Sequence, residues 1–402
     1  METKAGDPGA FADFDLSRVD SPAFVVDAAK LRDNCRILQD IGERSGAKVL
    51  AALKAFSMWS TAPIIGEYLD GVCTSGLWEA RLASEFYDGE IATYCAAYKP
   101  GDLDEILRLS DHVIFNSPQQ IAMCAEIIEA ARARGEAFDI GLRINPMHPE
   151  GEVAKYDPSA PHSRLGFPID QLTEEHMAMV DGIHFHNLCE QDFEPLQRTW
   201  DKVFDYLEPY FGQFSWINIG GGHHVTRADY QRDALVEFLA DMADDTGAEV
   251  YIEPGEAVAL DAGILVGTVL DIGWNGMPVA VVDISATCHM PDVIEAPYRP
   301  AMLGEVPADD HGMVDEGAGG AVRLGGPSCL AGDVIGDYRF PDPKAVKPGH
   351  RFAFLDQAHY SMVKTTTFNG VPLPSIWLWD SETDSLECIR RFDYEDFRDR
   401  LS

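Results

Sequence analysis

Lys48-Val49-Leu50-Ala51-Ala52-Leu53-Lys54-Ala55-Phe56 is a short apolar run bounded by the Ser45-Gly46 break and the polar Ser57. A run of this length after a turn signal reads better as a buried parallel strand than as a helix. Lys54 then projects from the end of a core strand. An amine held in a low-dielectric site has its charged form disfavoured, so the neutral nucleophile becomes available near neutral pH and can bond the aldehyde of a cofactor. The plainer alternative is a lysine whose stem lies on the strand and whose head reaches solvent.

Working outward, 23–26 reads as a strand and 28–44 as an amphipathic helix opened by Asp27. From 49 onward, strands alternate with segments long enough for helices, at 49–55, 71–74, 91–95, 112–116, 139–145, 182–186, 216–220 and 249–253. Their count and spacing predict an α/β fold, a (β/α)8 TIM barrel, whose chemistry lies at the C-terminal ends of its strands. Lys54, Asn145, His186, Gly220 to Gly222 and Glu253 all fall there. Beyond 263 the texture becomes β-rich, with strands expected at 264–272, 279–284, 321–324, 351–354 and 375–379 and glycine and proline between them. The expected organisation is a flexible lead over 1–20, a barrel domain over 21–263 and a C-terminal all-β domain over 264–402. The acidic, glycine-rich stretch 309–320 reads as an exposed loop.

The chain has 402 residues, with 31 basic against 67 acidic, a formal net charge of −36. That balance argues against nucleic acid as a partner and favours a cationic substrate, although a surface adapted to high salt is another source of it. The eight cysteines are scattered without a C-x-x-C pair, which argues against a disulfide framework and a structural zinc site. No stretch resembles a membrane span or a secretory signal, so the expected location is the cytoplasm.

Ile217-Asn218-Ile219-Gly220-Gly221-Gly222 ends a strand in three glycines ahead of a helix expected from Thr226. Such a turn lets backbone N–H groups approach a phosphate, and a plain βα turn is the alternative. Glu253-Pro254-Gly255-Glu256 closes the eighth strand with two carboxylates. One of them could keep a pyridinium nitrogen protonated, which makes that ring an electron sink; a solvated loop glutamate is the other reading. His184 and His186, two apart, share a face of the sixth strand. One could stack on a planar cofactor, or the pair could ligate a metal with His223, His224 or Cys189, although the spacings fit no specific zinc pattern.

Lys54, Phe185-His186, Gly220-Gly221-Gly222, Glu253-Pro254-Gly255, Gly326-Pro327-Ser328-Cys329 and Tyr360 resemble, in order, the motifs of the alanine-racemase-like, fold-type-III pyridoxal phosphate decarboxylases. The resemblance runs from about Pro22 to about Asn369. Within that group, Ser285-Ala286-Thr287-Cys288-His289-Met290-Pro291-Asp292 and the run from Glu253 to Glu256 look most like its carboxynorspermidine/carboxyspermidine decarboxylase branch. The resemblance implies pyridoxal 5'-phosphate bonded by Lys54, His186 stacked on its ring, Glu253 beside the ring nitrogen and the glycines at the phosphate. It further implies Cys329 as proton donor across a homodimer interface, with shared active sites. Tyr360 would lie near the phosphate and Asp333 against the substrate's distal amine.

Related decarboxylases commonly carry arginine where this chain has Glu256, a residue suited to a second carboxylate or a phosphate. Glutamate suits an ammonium instead, and Asp292 offers a second carboxylate for the same cationic tail. Cys189 stands where relatives often place a serine on the phosphate. The implied activity is loss of CO2 from carboxynorspermidine or carboxyspermidine to give norspermidine or spermidine. The rivals are a fold-type-III decarboxylase of diaminopimelate or a basic amino acid, disfavoured by Glu256, and a non-catalytic pyridoxal phosphate carrier, disfavoured by the β-rich second half and Cys329.

Overall fold

The computed structural model describes residues 6–151, 154–306 and 320–402. Eight parallel strands, Lys48–Ala52, Gly71–Thr74, Glu90–Tyr94, His112–Phe115, Asp139–Asn145, Gly182–His184, Trp216–Asn218 and Glu249–Ile252, pair each with the next. The last returns to the first through Tyr251↔Lys48 and Ile252↔Val49, which closes the barrel. A two-residue strand, Phe167–Pro168, adds to the side of the fifth. The expected strands are all present, yet most end one to three residues sooner than the apolar runs suggested. Lys54 therefore lies just past its strand, in the turn that follows.

Alternate residues of these strands point into the barrel, where Leu50, Ala92, Ile114, Trp216 and Tyr251 form its core. The N-terminal end is closed by the indole of Trp216, on which His112 lies parallel at 4.4 Å. Its N–H donates to Asp139 Oδ2 at 3.1 Å. Gly182 and Gly141 make room for that indole, because a Cβ on either would meet it at 2.1 and 2.4 Å. Beside it, Lys48 pairs with Glu90 and, at 3.3 Å, with Glu249. With one end filled by packing and ion pairs, the other is left for chemistry.

The second unit draws on both ends of the chain, residues up to Leu31 together with Ala259–Ser402, while Arg32–Val258 makes the barrel unit. This differs from the expected division at 21 and 263, because strand Ala23–Asp27 pairs with Gly263–Trp274 and Ser375–Asp380 and not with barrel strands. The sheet runs Val334–Tyr338, Val322–Gly325, Pro278–Val282, Gly263–Trp274, Ala23–Asp27, Ser375–Asp380, Ser385–Arg390, with Arg351–Phe354 also on Gly263–Trp274. Period-two alternation sends Ile264 and Val266 to one core with Trp377 and Trp379, and Leu265 to another with Val282, Leu324 and Phe354.

The described part of the expected flexible lead, residues 6–20, is folded: Gly9–Asp13 and Leu16–Arg18 form 3-10 turns. Phe11 and Phe14 set their rings 5.3 and 4.8 Å from that of Trp379. Two aromatic anchors outweigh the polarity of the surrounding residues. The expected loop at 309–320 lies outside the described residues up to Gly320. Among the described residues no helix is long and apolar enough to cross a membrane.

Replacing Gly182 by Ala drives a methyl into the Trp216 indole and should cost about 1–3 kcal/mol, as overpacking of a filled core does. Gly101→Ala, in open space at the start of helix Pro100–Leu109, is the control and should be neutral or slightly stabilising. Thermal melting of both variants checks this; equal midpoints would contradict the packing account.

Candidate active site

In the barrel unit, the strand ends bring together Lys54, Arg143, His184, His186, Asn218, the glycines and Glu253. The Asn218 amide donates to Glu253 Oε1 at 2.7 Å while its own oxygen accepts the Gly220 N–H at 2.9 Å. His184 Nε2 lies 3.3 Å from Glu253 Oε2. An ionised carboxylate only accepts, so Nε2 carries the proton and Nδ1 is a bare acceptor, buried and without a partner among the described residues.

Burial pushes the Glu253 carboxyl up, but His184, the Asn218 amide and the Lys54 ammonium more than offset it, so it lies below the usual carboxylate range and is an anion. Burial also lowers the pKa of His184, against the pull of Glu253, and leaves the ring neutral. His186 is held more firmly neutral, by burial first and then by the charges of Lys54 and Arg143. Its Nδ1 sits between Gly221 O at 3.0 Å and Gly221 N at 3.1 Å. Lys54 itself is exposed at the mouth, beyond the strand that was expected to bury its head. Its charge nonetheless acts on Cys73, His184, His186, Cys189 and Glu253.

Gly220 and Gly222 adopt φ of +70° and +87°, and a Cβ on Gly221 would strike Glu253 O at 2.0 Å. Only glycine fits that close approach of two backbones. The N–H groups of Gly220 and Gly221 already face Asn218 and His186, so a phosphate would meet the Gly222 end of the turn. The helix expected from Thr226 is Arg232–Thr246, because Arg232 instead holds the carbonyls of Val225, Thr226 and Arg227 in an irregular turn. The metal alternative has no convergence behind it: His184 turns to Glu253, His186 to Gly221, and His223 Nδ1 to Tyr230 OH at 2.6 Å. Burial raises the Cys189 thiol to about 11 and keeps it protonated.

Glu256 opens the short helix Glu256–Ala259, 3.8 Å from His224 Nδ1 and within the field of Arg227. Arg143, Asn218 and Tyr94 were not singled out in the sequence. The Arg143 guanidinium donates to His186 O at 2.7 Å and lies 4.5 Å from the Tyr94 ring centre, whose ring also stacks with His184. A usable signal existed: Arg143 lies two residues before Asn145, and Asn218 two before Gly220, each on the face already identified.

In the β-rich unit the motif segments form a second group. Ser285 Oγ and Ser328 Oγ donate to Asp333 Oδ2 at 2.9 and 2.6 Å, and the Thr287 N–H to Oδ1 at 3.2 Å. Cys329 is exposed and its N–H donates to Asn369 Oδ1 at 2.7 Å. Asp292 holds the Lys364 ammonium at 2.7 and 2.8 Å, and Lys364 also lies over the Tyr360 ring, 5.5 Å from its centre. The buried His289 accepts the Ser285 N–H at Nδ1, 3.1 Å, and donates from Nε2 to Pro372 O at 3.0 Å.

No family model matches the chain. It is 38% identical over 384 residues to the carboxynorspermidine/carboxyspermidine decarboxylase of Campylobacter jejuni, covering 94% of this chain and 98% of that one. It is 37% identical over 388 residues to the carboxyaminopropylagmatine decarboxylase of a Synechocystis strain, covering 96% of each. The crystal structure of Campylobacter jejuni carboxynorspermidine decarboxylase complexed with norspermidine superposes with a TM-score of 0.85 at 38% identity, covering 95% of this chain and all of that one.

His289 yields a pH test. Burial pushes its pKa down to about 4, against an ordinary value of 6.5. Above the ordinary value the ring is neutral folded or unfolded, and below it the unfolded chain takes a proton that the folded one refuses. Stability should therefore fall as pH drops from the ordinary value toward the depressed one, by about 1.4 kcal/mol per pH unit for this ring. His289→Gln keeps a donor and an acceptor without titrating, so its unfolding free energy should fall less steeply over that window. An unchanged slope would show that the ring is not held neutral.

Proposed function

We propose, for a chain that belongs to the carboxynorspermidine/carboxyspermidine decarboxylase family, that it releases CO2 from carboxynorspermidine and carboxyspermidine and leaves norspermidine and spermidine. The observation that carries this reading is the Glu253 anion fixed by Asn218 and His184 at the end of the eighth barrel strand, with Lys54 just past the end of the first. The donor set and the glycine turn fit pyridoxal phosphate: an amine, an ionised carboxylate, a neutral imidazole and a backbone that tolerates no side chain. When bound, that cofactor supplies an aldehyde that bonds an amine and a ring that accepts the electron pair released as CO2 leaves.

On this reading Lys54 Nζ would be the amine that holds the cofactor through its aldehyde carbon. Glu253 keeps a proton on the ring nitrogen, and Asn218 and His184 keep Glu253 ionised and aimed. The His186 ring would hold the cofactor ring and the Gly222 end of the turn its phosphate; Tyr360 is assigned to the phosphate by the family resemblance. Cys329 of the partner subunit returns a proton from Sγ to the carbon that has lost CO2, which makes the enzyme a homodimer with shared sites.

Glu256 and Asp292 recognise the cationic tail. Asp292 already takes the Lys364 ammonium with both oxygens, a geometry that suits an alkylammonium. A second reading is favoured by the 37% identity to the carboxyaminopropylagmatine decarboxylase. The same carboxylates would accept a guanidinium, with two parallel bonds to each.

The test is CO2 release from carboxynorspermidine, carboxyspermidine, carboxyaminopropylagmatine and meso-diaminopimelate. Turnover of the first two is expected; preference for the third selects the second reading, and turnover of diaminopimelate alone overturns both. Glu256→Gln and Asp292→Asn should each lower kcat/KM about tenfold, the worth of one charge-assisted hydrogen bond, with cofactor absorbance unchanged. Wild-type efficiency in both variants would mean that the tail is held elsewhere.

A further inference from the structure

We infer that Asp333 is a positioning residue that holds the loop of Cys329, not a contact for the substrate's distal amine; this rests on the proposed role of Cys329 as proton donor. The side chain is 4% exposed. Its Oδ2 takes the hydroxyls of Ser285 and Ser328 at 2.9 and 2.6 Å and lies 3.4 Å from the Ser328 N–H, and its Oδ1 takes the Thr287 N–H at 3.2 Å. A carboxylate offers about four acceptor sites, so these neutral donors use most of its capacity. An ammonium would have to break this set to enter.

The loop is shaped to this carboxylate. A Cβ on Gly326 would lie 2.3 to 2.6 Å from the Asp333 carboxylate, so the backbone at Gly326 is flush against it. The Gly326 N–H donates to Asp333 O at 2.8 Å, and the Asp333 N–H to Leu330 O at 3.0 Å, which closes the turn on itself. On the other side, the Cys329 N–H is held by Asn369 Oδ1 at 2.7 Å, and Asn369 sits in the left-handed region at φ 59°. Ser328 is thus gripped through Asp333 and Cys329 through Asn369, while Cys329 itself stays exposed. Holding a donor in place matters because a small misplacement of a reacting group costs rate far more than it costs affinity.

Serine and threonine hydroxyls near an aspartate are common in loops that only need to fold, so the test must separate placement from mere stability. Asp333→Asn should lower kcat about tenfold or more, within the range a general acid contributes, while KM stays within about twofold. On a Cys329→Ala background the same change should cost nothing further in kcat, because residues acting through one group are non-additive. Amide hydrogen exchange at Cys329, measured without substrate, should quicken in Asp333→Asn. Asn369→Gly, which keeps the left-handed backbone and removes only the acceptor, should repeat this pattern if Asp333→Asn does not fold.

A KM raised about tenfold with kcat kept would place Asp333 on the substrate and overturn the inference. Losses that multiply with Cys329→Ala would do the same. Full activity in Cys329→Ala would remove the proton-donor reading alone; the exchange measurement would then decide, with unchanged protection in Asp333→Asn counting against loop holding.

Discussion

An ionised carboxylate inside a barrel is costly unless donors surround it, and the barrel-borne half of the site depends on meeting that demand at Glu253. The strands that meet it are neighbours. His184, Asn218 and Tyr251 stand in register on three adjacent parallel strands, and Glu253 follows Tyr251 on the same face. One residue pair further down, Gly182 and Trp216 fill the closed end. The same inward face therefore carries packing at one end and chemistry at the other. A one-residue slip of the Trp216–Asn218 strand would remove both the indole and the amide.

Charge is distributed around that anion in a fixed order. His184 is neutral because burial outweighs the attraction of the carboxylate, and His186 because burial acts together with the positive charges of Lys54 and Arg143. Arg143 is spent on His186 O and on Tyr94, so it orders the histidine strand end. The cationic substrate class agrees with the net charge of −36, which draws cations to the protein as a whole. Asp292 holds the Lys364 ammonium, so any ammonium arriving at that carboxylate has to displace it.

Much of this was legible in the residues. The eight barrel strands, the lysine at the end of the first apolar run, the triglycine turn and Glu253 all follow from alternation, turn signals and spacing. The strand ends were not, because an apolar run continues past the last ladder bond, and the bonds that end Lys48–Ala52 are tertiary: Ala52 N–H to Pro254 O and Leu53 N–H to Cys73 O. The lead at 1–20 looked free because it is polar on average, whereas Phe11, Phe14 and Val19 are buried in a core with Trp377 and Trp379 and the Arg351 guanidinium holds the carbonyls of Leu16, Val19 and Asp20. The resemblance set Asp333 against the substrate's distal amine, and nothing in the spacing told of the hydroxyls of Ser285 and Ser328 that donate to it. Asn218 and Arg143 were within reach of a period-two reading; the partners that give them meaning come from other strands.

The claim on which this account rests is that Glu253 stands as an anion that keeps the cofactor's ring nitrogen protonated. Nitrogen-15 NMR of the enzyme loaded with pyridoxal phosphate labelled at that nitrogen measures it directly. The wild-type protein should give the shift of a protonated ring nitrogen and Glu253→Gln that of an unprotonated one. An unprotonated nitrogen in the wild type, or the same shift in both proteins, would contradict the account.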